Sequence, residues 1–344
     1  MKKSQTSIIN WLLEKNNPPV RYLTLKNLTQ DSKAAQENKS HIMTYEVIQE
    51  ILKHLEDFLN NDKPYNKYKG KFWQLIFLGQ FLADGQHPAI EKLVHNIIEI
   101  RKKWIWKFGG QCLIANILAA LMRLGYTTHP VVTAETEKLA QQIVSNTGIK
   151  CEVMDYSLLN RCYMAIPKIL LCFSEIPKEK RSSAIIDAIE ILVQTLIDNE
   201  VYIYVPGKRR EWQKILENQP KRAELPEGQT VKAWTIKEKE KFLNTHGKGG
   251  REAKKGWLKF GFPLHYNSDI LEAMYSLACL GIPMHPNLEK PLQIIKEKMT
   301  NEGKWIMENS LNGKMWVDLE EKGKPSKWLT YFALIVLDHF DESM

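Results

Sequence analysis

The sequence predicts an all-α fold: a single domain, 1–344, of helical hairpins set in an inner and an outer layer. Three observations predict it. A turn made of Leu, Gly, a few spacers and His-Pro recurs as "LADGQHP", "LGYTTHP" and "LGIPMHP", each time between two helical runs. The prolines of these turns and of a weaker copy stand at 88, 130, 177 and 286. The first two gaps are 42 and 47 residues, the period of a helix–turn–helix array, and the last, 109, holds about two repeats plus extra chain. Finally, the helix before each turn is apolar on most faces and the helix after it has a charged face, as a buried and an exposed layer require.

In chain order, "FWQLIFLGQFL", "CLIANILAALMRL", "CYMAIPKILLCF" and "DILEAMYSLACL" are the expected inner helices. Gly is expected where such a helix ends, because it enters the left-handed conformation without a steric cost. Pro suits the first turn of the next helix, where its missing N–H is not needed. His87, His129 and His285 then fall near N-cap positions; repetition spaces them apart, so they read as helix starts and not as a metal site. In the outer helices, Ile90, Leu93, Val94 and Ile97 recur at helical spacing, as do Leu288, Leu292, Ile295 and Met299. The copy at Pro177 lacks the Gly. Each inner run follows an irregular stretch rich in Gly, Trp and charge, such as "NKYKGKFW", "KKWIWKFGGQC" and "GWLKFGFPLHYNSD". If the array closes, these stretches crowd one mouth of a central cavity. The last run, "GKPSKWLTYFALIVL", is as apolar as the middle ones, whereas the end of an open array needs a polar face, so closure is expected. An open HEAT-like solenoid is the alternative.

Composition bounds the function. Apolar residues make up 44% and charged residues 26%, which suits a packed core. No apolar run reaches the ~18 residues of a membrane span, and the run after "MKKSQTS" is too short for a signal peptide. The five cysteines (112, 151, 162, 172, 279) are odd in number and form no CxxC, and a cytoplasmic protein is expected. The net charge of +8 is local: residues 207–259 hold 15 Lys or Arg and 7 Asp or Glu, leaving 33 of each sign elsewhere. A basic insertion at 207–260 is therefore expected, serving as a lid or as a contact for anionic lipid headgroups. No nucleic-acid motif occurs in it, so nucleic acid is not an expected partner. Nothing in the chain specifies an oligomeric state.

Two layers of hairpins with "NEGKW" at Asn301–Trp305 resemble the α/α toroid of terpenoid cyclases and protein prenyltransferases. The chain is more similar to a group of short bacterial and archaeal proteins described loosely as squalene-cyclase-like or prenyltransferase-like. The similarity rests on "WLLEKNNPPVRYLTLKNL", "LADGQHP", "CLIANILAALMRLGY", "CYMAIPKIL", "FPLHYNSDILEAMYSLACLG" and "GKPSKWLTYFALIVL", which span its length. The resemblance implies an α/α toroid and a central cavity for an apolar or isoprenoid-like molecule. It implies no reaction, since the DxDD acid, the DDxxD magnesium motif and the DxC zinc motif of the larger relatives are all absent.

Candidate site residues fall in three sets. Asp269, His265 and Tyr266 open an inner run, with Glu272 on the same side of the helix as Asp269. A carboxyl there would be raised by an apolar cavity and could act as general acid or base; alternatively Asn267 or Ser268 caps the helix and Asp269 complements its dipole. Trp73, Tyr163, Trp305 and Trp328 would line an aromatic cavity, with Asn116, Arg161 and Lys327 as polar contacts at its mouth. Cys112 and Cys162 open neighbouring inner runs and Cys151 lies between, a set that could hold zinc or serve simply as small buried residues. The expected function is binding of an apolar or isoprenoid-like substrate, with or without its turnover. A non-catalytic scaffold for a protein or peptide and a thiolate metal protein are the alternatives.

Overall fold

Helices begin where the chain supplies a cap or a proline. In a computed structural model, which describes residues 3–59, 65–103, 110–146, 148–149, 162–206, 209–246 and 251–341, His129 and His285 are N-caps. Their Nδ1 atoms accept from the N–H groups of Val131 and Asn287 at 3.2 and 3.1 Å, and proline follows each. Asn17, Ser182 and Ser326 cap three further helices through side-chain oxygens.

The first four helices are α1 (Lys3–Leu12), α2 (Pro18–Leu23), α3 (Ser32–Lys39) and α4 (Glu46–Leu59). Then come α5 (Lys71–Gln80), α6 (Pro88–Lys103), α7 (Gln111–Leu121), α8 (Pro130–Ser145), α9 (Ile166–Ser174) and α10 (Ser183–Ile197). After strand β1 (Ile203–Pro206) follow α11 (Arg209–Glu217), α12 (Val231–His246), β2 (Arg251–Ala253) and β3 (Gly261–Phe262). The chain closes with α13 (Ile270–Cys279), α14 (Pro286–Glu297), β4 (Trp305–Ile306), β5 (Asn309–Ser310), β6 (Pro325–Ser326) and α15 (Lys327–Phe340). The fold is all-α. Its strands form two-residue to four-residue ties between loops: β1 with β2 and β4 with β6 antiparallel, β3 with β5 parallel.

The two layers follow the hydrophobic pattern. Every residue of α5 is buried, as are Leu113–Leu121 of α7 and Ile166–Phe173 of α9. These inner helices neighbour one another in the order α5, α7, α9, α13, α15. Helices α6, α8, α10 and α14 cover them, and α14 buries only Leu288, Pro291, Leu292 and Ile295. The chain's beginning and end meet. Helix α15 packs on α2, Lys327 Nζ lies 2.8 Å from Glu14 Oε2, and Asn27 Nδ2 donates to the Tyr331 hydroxyl at 2.6 Å. No described helix is long and apolar enough to cross a membrane.

One expectation needs correction. Gly125 and Gly281 end their helices at φ +95° and +70°, but in the first copy Leu82 takes the left-handed position, at +58°. Gly79 and Gly85 are required for a different reason: a Cβ on Gly79 would stand 2.6 Å from Ala120 Cα, and one on Gly85 would stand 1.9 Å from the Leu124 carbonyl oxygen. They let one hairpin lie directly against the next. The basic insertion is largely a helical hairpin, α11 and α12, whose own small core is built on Trp212 and Phe242; the main core resumes at Trp257, before residue 260. Trp305 stands beside the start of α15, its strand paired with Ser326, and its Nε1 donates to the Ile295 carbonyl of α14 at 2.8 Å.

Candidate functional site

The segment "FGFPLHYNSD", with Pro263 at a bend, cannot be helical, so it crosses the interior as extended chain and must have its backbone groups satisfied. Gln80 of α5 does part of this. Its Oε1 accepts from Leu264 N–H at 2.9 Å and its Nε2 donates to Leu264 O at 2.8 Å. Pairing of β3 with β5 and a bond from Phe260 N–H to Glu308 Oε2 (2.9 Å) satisfy more. Apolar and aromatic side chains then fill the space. Phe262 stacks on Trp328 at 4.3 Å, and Phe81 lies 6.1 Å from both rings. His265 meets Tyr68 at 5.6 Å and Tyr266 meets Trp73 at 4.9 Å.

Helix α13 starts at the end of this segment, and Asp269 itself is the N-cap, in place of Asn267 or Ser268. Oδ1 accepts from Glu272 N–H at 2.8 Å, and Oδ2 accepts from Gly261 N–H at 3.0 Å, so the same carboxyl also fastens the entering segment. One turn on, Glu272 is enclosed. Both its oxygens lie 2.7 Å from Lys168 Nζ, which comes from α9 and also donates to Ser268 Oγ at 2.9 Å. Neither side chain of the pair is more than 1% exposed. Ser268 Oγ donates to Met164 O at 2.8 Å, which anchors the group to the turn before α9.

A narrow cleft of about 10 Å³, room for about one water molecule, is lined by Lys259, His265, Asn267, Ser268, Asp269 and Glu272 together with Gly256, Gly261, Leu264 and Asn309. Burial governs the titrations here. It pushes the Asp269 carboxyl up to about 7, with Glu272 adding to the rise and the two backbone N–H groups opposing it. It pushes His265 down to about 3, helped by the Lys168 charge. Burial also raises Glu272, against the pull of Lys168. His265 Nδ1–H donates to the Pro263 carbonyl at 3.2 Å, so the neutral ring carries its lone pair on Nε2. The carboxyl and the imidazole thus titrate in the reverse of their usual order.

Of the sequence candidates, Asp269, His265, Tyr266, Glu272 and Trp73 come together at this place, and Trp328 reaches it through Phe262. Trp73, Trp305 and Trp328 are at most 1% exposed, so these rings face packed atoms and not open space. Tyr163 and Asn116 are buried, and Asn116 Nδ2 has no hydrogen-bond partner among the described residues. Lys327 does not line the cleft; it holds Glu14 and Asn16 near the chain's start. Cys112 and Cys162 are half-buried at the start of α7 and before the turn into α9. Arg161 and Cys151 lie outside the described residues. Among the described residues, no three His, Cys, Asp or Glu side chains gather in a way that could hold a metal.

Sequence reading missed Lys168 and Gln80. For Lys168 a signal existed: it is the lone charge in "CYMAIPKILLCF", as Glu272 is within "ILEAMYSLACL", and buried charges are normally paired. Comparison with protein-family models, with curated proteins and with solved structures yields no match.

Proposed function

We propose that the protein is an α/α toroid whose ligand site is the cleft at the start of α13, with Asp269 as proton donor or acceptor and His265 as hydrogen-bond acceptor. What carries the reading is the grouping of a buried carboxyl raised to about 7 and a buried imidazole lowered to about 3 in one cleft. Pairs of groups whose surroundings drive their titrations apart are the usual basis of acid–base work. Between those two values the carboxyl is protonated while the imidazole is neutral, so one can give a proton where the other accepts a hydrogen bond. The Lys168–Glu272 pair adds a fixed charge pair beneath them. Toroid closure is supported by the packing of α15 on α2 and by the Lys327–Glu14 pair.

The ligand best matched to this cleft presents a small polar group, such as a hydroxyl, to His265 and Asp269. An isoprenoid body enclosed beside Trp73 and Trp328 is not supported at those positions, since neither ring borders open space. The test is native mass spectrometry of protein purified without chelator, followed by repetition on Asp269→Asn and His265→Gln. A co-purifying small molecule lost from both folded variants is the expected result. Retention of the same molecule by both variants sinks the assignment.

A further inference from the structure

We propose that the α11–α12 hairpin is a docking surface for an anionic lipid bilayer. The whole net charge of the chain resides in residues 207–259, as the remaining residues hold 33 charges of each sign. Part of that excess is displayed on an outgrowth: residues 209–246 hold 9 Lys or Arg against 6 Asp or Glu. The hairpin packs around its own cluster of Trp212 and Phe242, with Ile215 and Leu216 against it, and is inserted between the paired strands β1 and β2. Three exposed lysines of α12 also stand apart from carboxylates. Elsewhere Lys53, Lys296, Lys298, Lys304 and Lys327 each sit within 2.8 Å of a carboxylate oxygen. The exposed Lys232, Lys237 and Lys241 of α12 have no such partner among the described residues.

A bilayer is favoured over a nucleic acid by the apolar groups. Single-strand binding uses aromatic platforms. Here Trp212 and Phe242, the aromatic pair of the hairpin core, are 4% exposed and turned into it. What α12 exposes among its lysines is Ile236, 37% accessible, with Ala233 beside it and a single carboxylate, Glu240, on the same half of the helix. Lys232 and Lys241 stand roughly 13 Å apart along the axis at 1.5 Å per residue. A helix lying on a surface can therefore place its ammonium groups among headgroups while Ile236 enters the acyl boundary.

The test uses the full chain with vesicles of phosphatidylcholine alone or mixed with phosphatidylserine, at low and high salt. Cosedimentation only with the anionic vesicles, lost at high salt, is expected. The triple variant Lys232→Gln, Lys237→Gln, Lys241→Gln should partition about a hundredfold more weakly. Ile236→Ser should weaken binding at unchanged salt dependence. Equal sedimentation with both vesicle types, or with neither, overturns the proposal. So does a single-stranded oligonucleotide that binds more tightly than the anionic vesicles at the same ionic strength. Should the triple variant misfold by circular dichroism, Ile236→Ser and the salt arm still decide.

Discussion

Replacing Asp269 with Asn separates a strained acid from a simple helix cap by the pH dependence of stability. The wild-type carboxyl has a folded value of about 7 against an ordinary 3.8. The folded protein therefore holds this proton more tightly than the unfolded chain does. Where the unfolded state binds fewer protons, stability falls as pH rises. The contribution is fully present below about pH 4, declines at about 1.4 kcal/mol per pH unit, and is gone above about pH 7, a total of about 4 kcal/mol. Asn abolishes that slope. It caps a helix as well as Asp does, but its amide nitrogen cannot accept the Gly261 N–H bond now made at 3.0 Å. Losing that buried bond costs about 1–3 kcal/mol at every pH. The two stability curves should therefore cross: the variant is weaker near pH 4 and equal to or firmer than wild type near pH 8. Urea unfolding across that range, followed by tryptophan fluorescence, measures the difference. A variant that is weaker by the same amount at every pH would show that the two backbone N–H groups keep the carboxylate ionised, and the acid–base role would fall with it.

Three further outcomes test the packing. Lys168→Met leaves Glu272 buried without its partner and should cost about 3–5 kcal/mol in urea unfolding, most of it recovered by adding Glu272→Met; a double variant as weak as the single one would contradict this. Gln80→Ala strips both partners from the Leu264 backbone and should cost about 3 kcal/mol, and Gln80→Glu, whose ionised second oxygen would face the Leu264 carbonyl, should cost at least as much near neutral pH. Gly79→Ala should cost about 1–3 kcal/mol in thermal unfolding, because the new Cβ overlaps Ala120, whereas Gly256→Ala, with open space around it, should be nearly neutral.

Much of the site's location was legible. "FPLHYNSD" contains Pro263 just before a strongly apolar run, so a loop followed by a buried helix start could be read directly, and with it the grouping of His265, Tyr266 and Asp269. The capping residue was off by one or two positions because Asn267, Ser268 and Asp269 are all good caps; the choice depends on which backbone N–H groups the side chain can reach. How the rings at Trp73, Trp305 and Trp328 pack was not legible for another reason. Aromatic content at a helix start does not say whether the ring meets a void or another ring, and Phe262 supplies the ring that Trp328 stacks on.

By itself, the sequence determined the apolar inner helices, the helices that open at His-Pro, and which layer each of these occupies. Those properties follow from periodicity, caps and prolines within a few residues of one another. Only the tertiary structure decided that Lys168 meets Glu272 across 104 residues and that Gln80 holds Leu264 across 184. It also decided that Gly79 serves the contact between α5 and α7 and that Leu82 takes the left-handed turn. The physical reason is that burial and long-range pairing depend on how neighbouring hairpins are set against each other, and the shifts at Asp269 and His265 are consequences of that burial.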